Sequence, residues 1–293
     1  MVLAIAAVHF LNIATLDRLG LIVFDSYQKV APRQYEDAAV RIVDIDEESV
    51  ERLGQWPWPR TEIARLTDRL SQAGAAAIAF DIVFAEPDRT SPGRLASQLE
   101  ESEPALAGAL AELPSNDDVL ADSFAVSPVV NGLFLLTEQR GEPLELPSGM
   151  AMLGTEPARM VTDFQGSVQP LPVLRNAAPG LGSLTIEKDA DGIVRKAPLV
   201  FLHRGELVPS LSVEALRVAQ GADATLVTTS DGSGETEGLP GAVVSVRTGE
   251  FDAPTNAAGE LLLHFTGPAP ERIVPAWRIL AEDVTAEDLS AEV

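Results

Sequence analysis

The sequence lacks cysteine altogether and holds only three histidines and three lysines among its 293 residues. Without cysteine there are no disulfides, thiol nucleophiles or thiolate-held metals. A reducing cytoplasm and a disulfide-free periplasm both accommodate such a chain. His9, His203 and His264 are too scattered to make a metal site, and the latter two are expected at strand ends. Basic residues are scarce as well, and the formal net charge is −23. Nucleic acid and anionic lipid headgroups need a basic face, so both are excluded as partners. No serine sits in a nucleophile-elbow context and no glycine-rich run follows a strand, so neither acyl-transfer nor dinucleotide chemistry is indicated. Neither a catalytic set nor a cofactor is expected.

Long apolar runs are also few. Met1 to Leu16 (MVLAIAAVHFLNIATL) is polar only at His9, Asn12 and Thr15. It falls short of the roughly 20 residues of a bilayer-spanning helix. No basic segment precedes it and no small-residue cleavage site follows. Composition alone leaves a membrane segment and a buried amphipathic helix both open.

An apolar fraction of 46% with interspersed charge describes a folded chain with one large core or two modest ones. Its most informative stretch is 40–84. Val40 to Asp46 gathers β-branched residues and breaks at an acidic cluster, as a buried strand does. Ala75 to Phe84 (AAAIAFDIVF) is apolar except for Asp81. Between them, Thr61 to Gln72 places Ile63, Leu66 and Leu70 at helical spacing before Gly74. Strand, helix and strand with a short return predict a parallel crossover unit. The fold class expected is α/β, a parallel strand-helix-strand core with antiparallel hairpins, preceded by an N-terminal membrane-proximal helix.

In crossover units, ligands lie off the carboxyl ends of the strands. That edge carries Asp44, Asp46 and Asp81, beside Trp56-Pro57-Trp58-Pro59-Arg60 and the loop with Glu86 and Asp88. Clustered carboxylates suit a hard cation. The alternative has Asp46 capping a helix over 49–53 and Asp81 paired with Arg60, because a buried carboxylate needs a partner. Trp56 and Trp58 could line a pocket for an aromatic or cationic ligand, or plug the strand edge on their rigid prolines. The pocket expected lies between Asp44, the tryptophan run and the 85–93 loop.

Further along, helices are expected over 19–30, over 94–113 with a break at Pro104, from 119 to 126, and over 211–220 with Leu211, Ala215, Leu216 and Ala219 inside. Strands are expected at 128–136, 243–247 and 260–265. A hairpin of 183–187 and 193–202 should turn at 188–192, whose Gly192 suits a positive φ. Residues 230–241 read as a flexible insertion, and the acidic pairs at Asp117 and Asp283 as helix starts.

In this order the pieces resemble the second type of CHASE domain, a sensory domain associated with bacterial cyclases and histidine kinases. The resemblance rests on Phe24-Asp25, Tyr27, Pro32-Arg33, Val43-Asp44-Ile45-Asp46-Glu47, Leu53-Gly54 and the tryptophan-proline run to Arg60. Gly74-Ala75, Ala79-Phe80-Asp81, Phe84, Glu86-Pro87-Asp88, Asp189, Asp191-Gly192, Arg195, Pro209-Ser210-Leu211, Leu261-Leu262 and Gly267 continue it.

The resemblance implies a sensor outside the cytoplasmic membrane of a bacterium, joined by membrane helices to a cyclase or kinase output domain. It makes 1–23 the transmembrane helix, in part, and 24–293 the sensor domain, with one more apolar core strand due after Val293. The partners implied are a small molecule or other envelope signal, the membrane through the N-terminal helix, and a second copy in a homodimer. Two other readings stay open. One is an envelope metal-assisted hydrolase using Asp44, Asp81, Glu86 and Asp88; the other is a structural dimerisation module.

Overall fold

The computed structural model describes residues 13–36, 38–233, 239–282 and 289. The first element is helix α1, Ile13–Val30, followed by strand β1, Ile42–Asp44. Helix α2, Glu47–Leu53, starts at Asp46, whose carboxylate accepts from the Ser49 amide at 2.8 Å, and stops at Gly54 with φ 100°. Helix α3, Arg60–Gln72, buries Ile63, Leu66 and Leu70, the residues its periodicity singled out. Then come β2 (Ile78–Ala79), α4 (Pro92–Leu99), α5 (Pro104–Ala111) and α6 (Asn116–Ala125), with Pro104 opening α5 at the expected break. Strand β3, Val129–Leu136, is buried along most of its length.

The second half is richer in strands. Its elements are β4 (Gly149–Leu153), β5 (Asp163–Phe164), β6 (Gly166–Val168), α7 (Pro172–Ala177), β7 (Gly180–Ser183), β8 (Lys196–Pro198), β9 (Val200–His203) and β10 (Glu206–Pro209). Helix α8 (Leu211–Ala219) and strands β11 (Ala224–Thr229), β12 (Val243–Thr248), β13 (Phe251–Pro254) and β14 (Glu260–Leu262) follow. A short 3-10 turn leads into β15 (Ile273–Pro275) and α9 (Ala276–Leu280). The architecture is mixed α/β with parallel and antiparallel pairing.

The expected crossover between 40–46 and 75–84 does not form. β1 pairs in parallel with β15, while β2 pairs in parallel with β3, which also takes β7 in parallel and β6 antiparallel. The parallel crossover is therefore β2 to β3, through α4, α5 and α6. Local hydrophobicity identified the strands, but their partners were chosen by packing across the whole chain. The expected 183–202 hairpin is also replaced. Its turn exists, with Gly192 at φ 83° and its amide bonded to the Asp189 carbonyl, but β7 goes to β3 and β8 goes to β14. The hairpin of this region is β9–β10, turning at Arg204-Gly205. A last sheet runs β13-β12-β11-β4. Of the expected 230–241 insertion and the helix start at 283, residues 234–238 and 283 lie outside those described.

The largest core cluster gathers α3, α6 and α9 around Phe80, Phe84 and Phe124, whose ring centroids stand 5.4–6.3 Å apart. Two smaller clusters lie under the β4–β13 sheet and between β3 and the β9–β10 hairpin.

Candidate functional site

Three constellations bring functional side chains together, and only the first contains residues singled out by their position in 40–88. It is built at the N-terminus of α3. Asp88, buried at 5% exposure, accepts from the Arg60 amide at 2.7 Å, from the Thr90 amide and hydroxyl, and from Asn116 Nδ2. A carboxylate on the first amide of a helix also suits the helix dipole. Burial works against its charge, and these hydrogen bonds outweigh it, holding the carboxyl below its ordinary value. The Asp88 amide in turn donates to Asp117. The Arg60 side chain lies over the Phe84 ring, 4.5 Å from its centroid, with Nε 3.5 Å from Asp117. Its terminal nitrogen donates to the Glu86 carbonyl, and burial lowers its pKa.

Arg60 is therefore partnered by Asp117 and not by Asp81, as the sequence had suggested. Asp81 is exposed, because the 75–84 run leaves the sheet after two residues, and needs no partner there. Asp44 is exposed on β1, and Glu86 contributes its carbonyl. Asp46 is the N-cap of α2, and hydrogen bonds from Ser49 lower its pKa. Trp58 is 2% exposed, donates its indole N–H to the Gly54 carbonyl at 2.7 Å and packs edge-on with the half-buried Trp56 at 5.6 Å. The Trp56–Pro57 peptide between them is cis. Asp46, Trp58 and Asp88 thus have their polar atoms committed within the fold.

The second constellation is centred on Arg195, 3% exposed. Its Nε and one terminal nitrogen grip both oxygens of Asp25 on α1, at 2.7 and 2.8 Å. The same guanidinium bonds Asp189 at 2.9 Å and both oxygens of Asp191. The bidentate fork matches a guanidinium's donor geometry. Hydrogen bonding to Arg195 draws the pKa of Asp25 down and that of Asp191 down to about 2, while Arg195 itself is raised. Gln28, one turn after Asp25, donates to the Leu263 carbonyl and accepts from the Phe265 amide. His264 reaches the Ala31 carbonyl and Arg33 bridges to Thr266. Helix α1 is thereby fastened to the 189–195 loop and to the segment after β14. The sequence places an Asp-rich turn before Arg195-Lys196, but nothing in it pairs that Arg with Asp25.

The third is a cleft of about 760 Å³ between β4 and the β9–β10 hairpin. Leu144, Leu146, Met150, Met152 and Leu207 give it an apolar lining, and Glu156, Glu206 and Arg204 are charged. His203 lines it too. Burial, then the charge of Arg204, lowers the imidazole's pKa, and its Nε2 has no hydrogen-bond partner among the described residues. Ser148, also on the wall, donates to the fully buried Glu214, which is paired with Arg217 at 2.9 Å. Sequence reasoning placed the pocket elsewhere. It also assigned the inner face of α8 to Leu211, Ala215, Leu216 and Ala219, where the buried residues are Val213, Glu214 and Arg217.

Among the described residues, no group of three or more His, Asp or Glu side chains is placed to hold a metal ion. No described helix is long and apolar enough to cross a membrane. What the geometry defines is an α/β domain clamped to an N-terminal helix. The CHASE2 domain family matches residues 1–292, and the chain belongs to it. CHASE2 domains are extracellular sensory domains of membrane receptors. No curated protein and no solved structure matches the chain.

Proposed function

We propose that the chain is the signal-input domain of a bacterial inner-membrane receptor, outside the cytoplasm, whose output domain is an adenylate or guanylate cyclase or a histidine kinase. The observation that carries this reading is the Arg195–Asp25 bond. It joins α1, the helix that follows the apolar N-terminus, to a loop of the domain it leads into. A ligand changes output only by binding two arrangements unequally, so some element must carry the difference toward the membrane. α1 is that element. The signal enters at the cleft beside His203, whose volume falls within the usual range of small-molecule sites, about 300–1,000 Å³. Of the residues expected to bind a ligand at 44–88, Asp46 latches the start of α2 and Asp88 the start of α3.

The hydrolase reading lacks its metal ligands among the described residues. A topology reporter tests the proposal. In the native gene, alkaline phosphatase fused after Gly205 should be active and β-galactosidase at the same site silent. The reverse pattern refutes an extracytoplasmic sensor.

A further inference from the structure

Over residues 19–30, helix α1 is anchored along one side among the described residues. Leu21, Phe24, Asp25 and Gln28 face the domain, and the bonds of Asp25 to Arg195 and of Gln28 to Leu263 and Phe265 fix that rotation. The opposite side is apolar and open to solvent. Leu19, Ile22, Val23, Tyr27 and Val30 are all exposed, Tyr27 at 71% and Val30 at 84%. Such contiguous apolar exposure marks an interaction surface.

The spacing says what covers it. With Val23 and Val30 at a positions, Leu19 and Ser26 fall at d, and Ile22 and Tyr27 flank them at g and e. The docked residues Leu21, Phe24, Asp25 and Gln28 then fall at f, b, c and f, the side of a heptad away from the seam. Valine at a with leucine at d favours a parallel two-stranded pairing. Ser26 is acceptable in such a seam, since its hydroxyl already donates to the Ile22 carbonyl at 2.7 Å.

Charge agrees. In a chain of net charge −23, two copies repel over most of their surfaces. Between residues 19 and 30 the only carboxylate is Asp25, and it is held by Arg195. Lys29 falls at g, where it meets the e position of the other helix and not the other Lys29. We infer that α1 pairs in parallel with α1 of a second copy through Leu19, Val23, Ser26 and Val30.

The seam is short, about 18 Å for twelve helical residues. It buries less than the roughly 800 Å² per partner of a stable interface. Pairing is accordingly weak between free chains and strong where both copies are held together, since tethering raises effective concentration to about the millimolar range. The inference stands on the docking of α1 and, for its strength, on the membrane tethering of the proposed function; it does not depend on the nature of the signal.

The absence of cysteine makes the test direct. Single cysteines at Leu19, Val23, Ser26 and Val30, and controls at Leu21 and Gln28, are introduced into the whole chain in membrane vesicles and oxidised. Disulfide-linked dimers are expected at the four seam positions and not at the controls. Adding V23E to V30C should abolish the crosslink while leaving the circular dichroism spectrum unchanged. Equal crosslinking at seam and control positions, or none anywhere, overturns the proposal. So does protection of the seam cysteines from a water-soluble maleimide without crosslinking, which would show the bilayer covering this face.

Discussion

Arg195 holds both carboxylate oxygens of Asp25, 170 residues earlier in the chain, at 2.7 and 2.8 Å. Three aspartates converge on this one buried guanidinium, and only Asp25 comes from α1. The fork therefore joins the helix to the domain at a defined rotation and height.

The clasp should be acid-labile. A carboxyl whose folded pKa is depressed contributes stability above its unfolded pKa and loses it as the pH falls through the folded value. Hydrogen bonding to Arg195 lowers Asp191 from 3.8 to about 2 and also lowers Asp25. Attachment of α1 should thus be intact above the ordinary carboxylate range, about pH 4, and be lost as the pH falls through the depressed value of Asp25. An environment-sensitive fluorophore on α1, titrated with acid, reports the step. Arg195→Gln should remove it.

Two aspartates seven residues apart should behave oppositely. Asp88→Ala strands the Arg60 amide, Thr90 and Asn116, and should cost about 3 kcal/mol. Asp81→Ala, at an exposed position, should stay within about 0.5 kcal/mol. Urea melts of the two variants check both figures.

Glu214 is fully buried, and its carboxylate oxygens bond to Arg217 and Ser148. Glu214→Ala leaves a buried guanidinium uncompensated and should cost about 3–5 kcal/mol. Replacing both Glu214 and Arg217 with apolar residues of similar volume should recover much of that loss. Denaturation midpoints of the single and double variants separate the two cases.

The sequence was most legible where structure is local. The apolar spacing of Ile63, Leu66 and Leu70, with Gly74 behind it, marks α3 to within a residue of its observed start. Asp46 reads as an N-cap because capping needs only a neighbour three residues on. Pairing was not legible. Ile42–Asp44 finds its partner at Ile273–Pro275, and no pattern inside 40–84 distinguishes that choice from a nearer strand. The face of α8 was misjudged because Glu214 and Arg217 neutralise each other inside, which reverses the usual placement of charge. The cleft was missed for a related reason. Its walls come from 143–156 and 203–208, segments made adjacent by the position of β4 beside the β9–β10 hairpin.

The account turns on α1 being mechanically joined to the domain through Arg195, and hydrogen exchange of the α1 amides measures this most directly. In the native chain, amides of residues 21–30 should be protected together with the 189–195 loop. In Arg195→Ala and in Asp25→Ala, exchange across α1 should rise about tenfold or more while α3 keeps its protection. Unchanged protection of α1 in both variants would contradict the account.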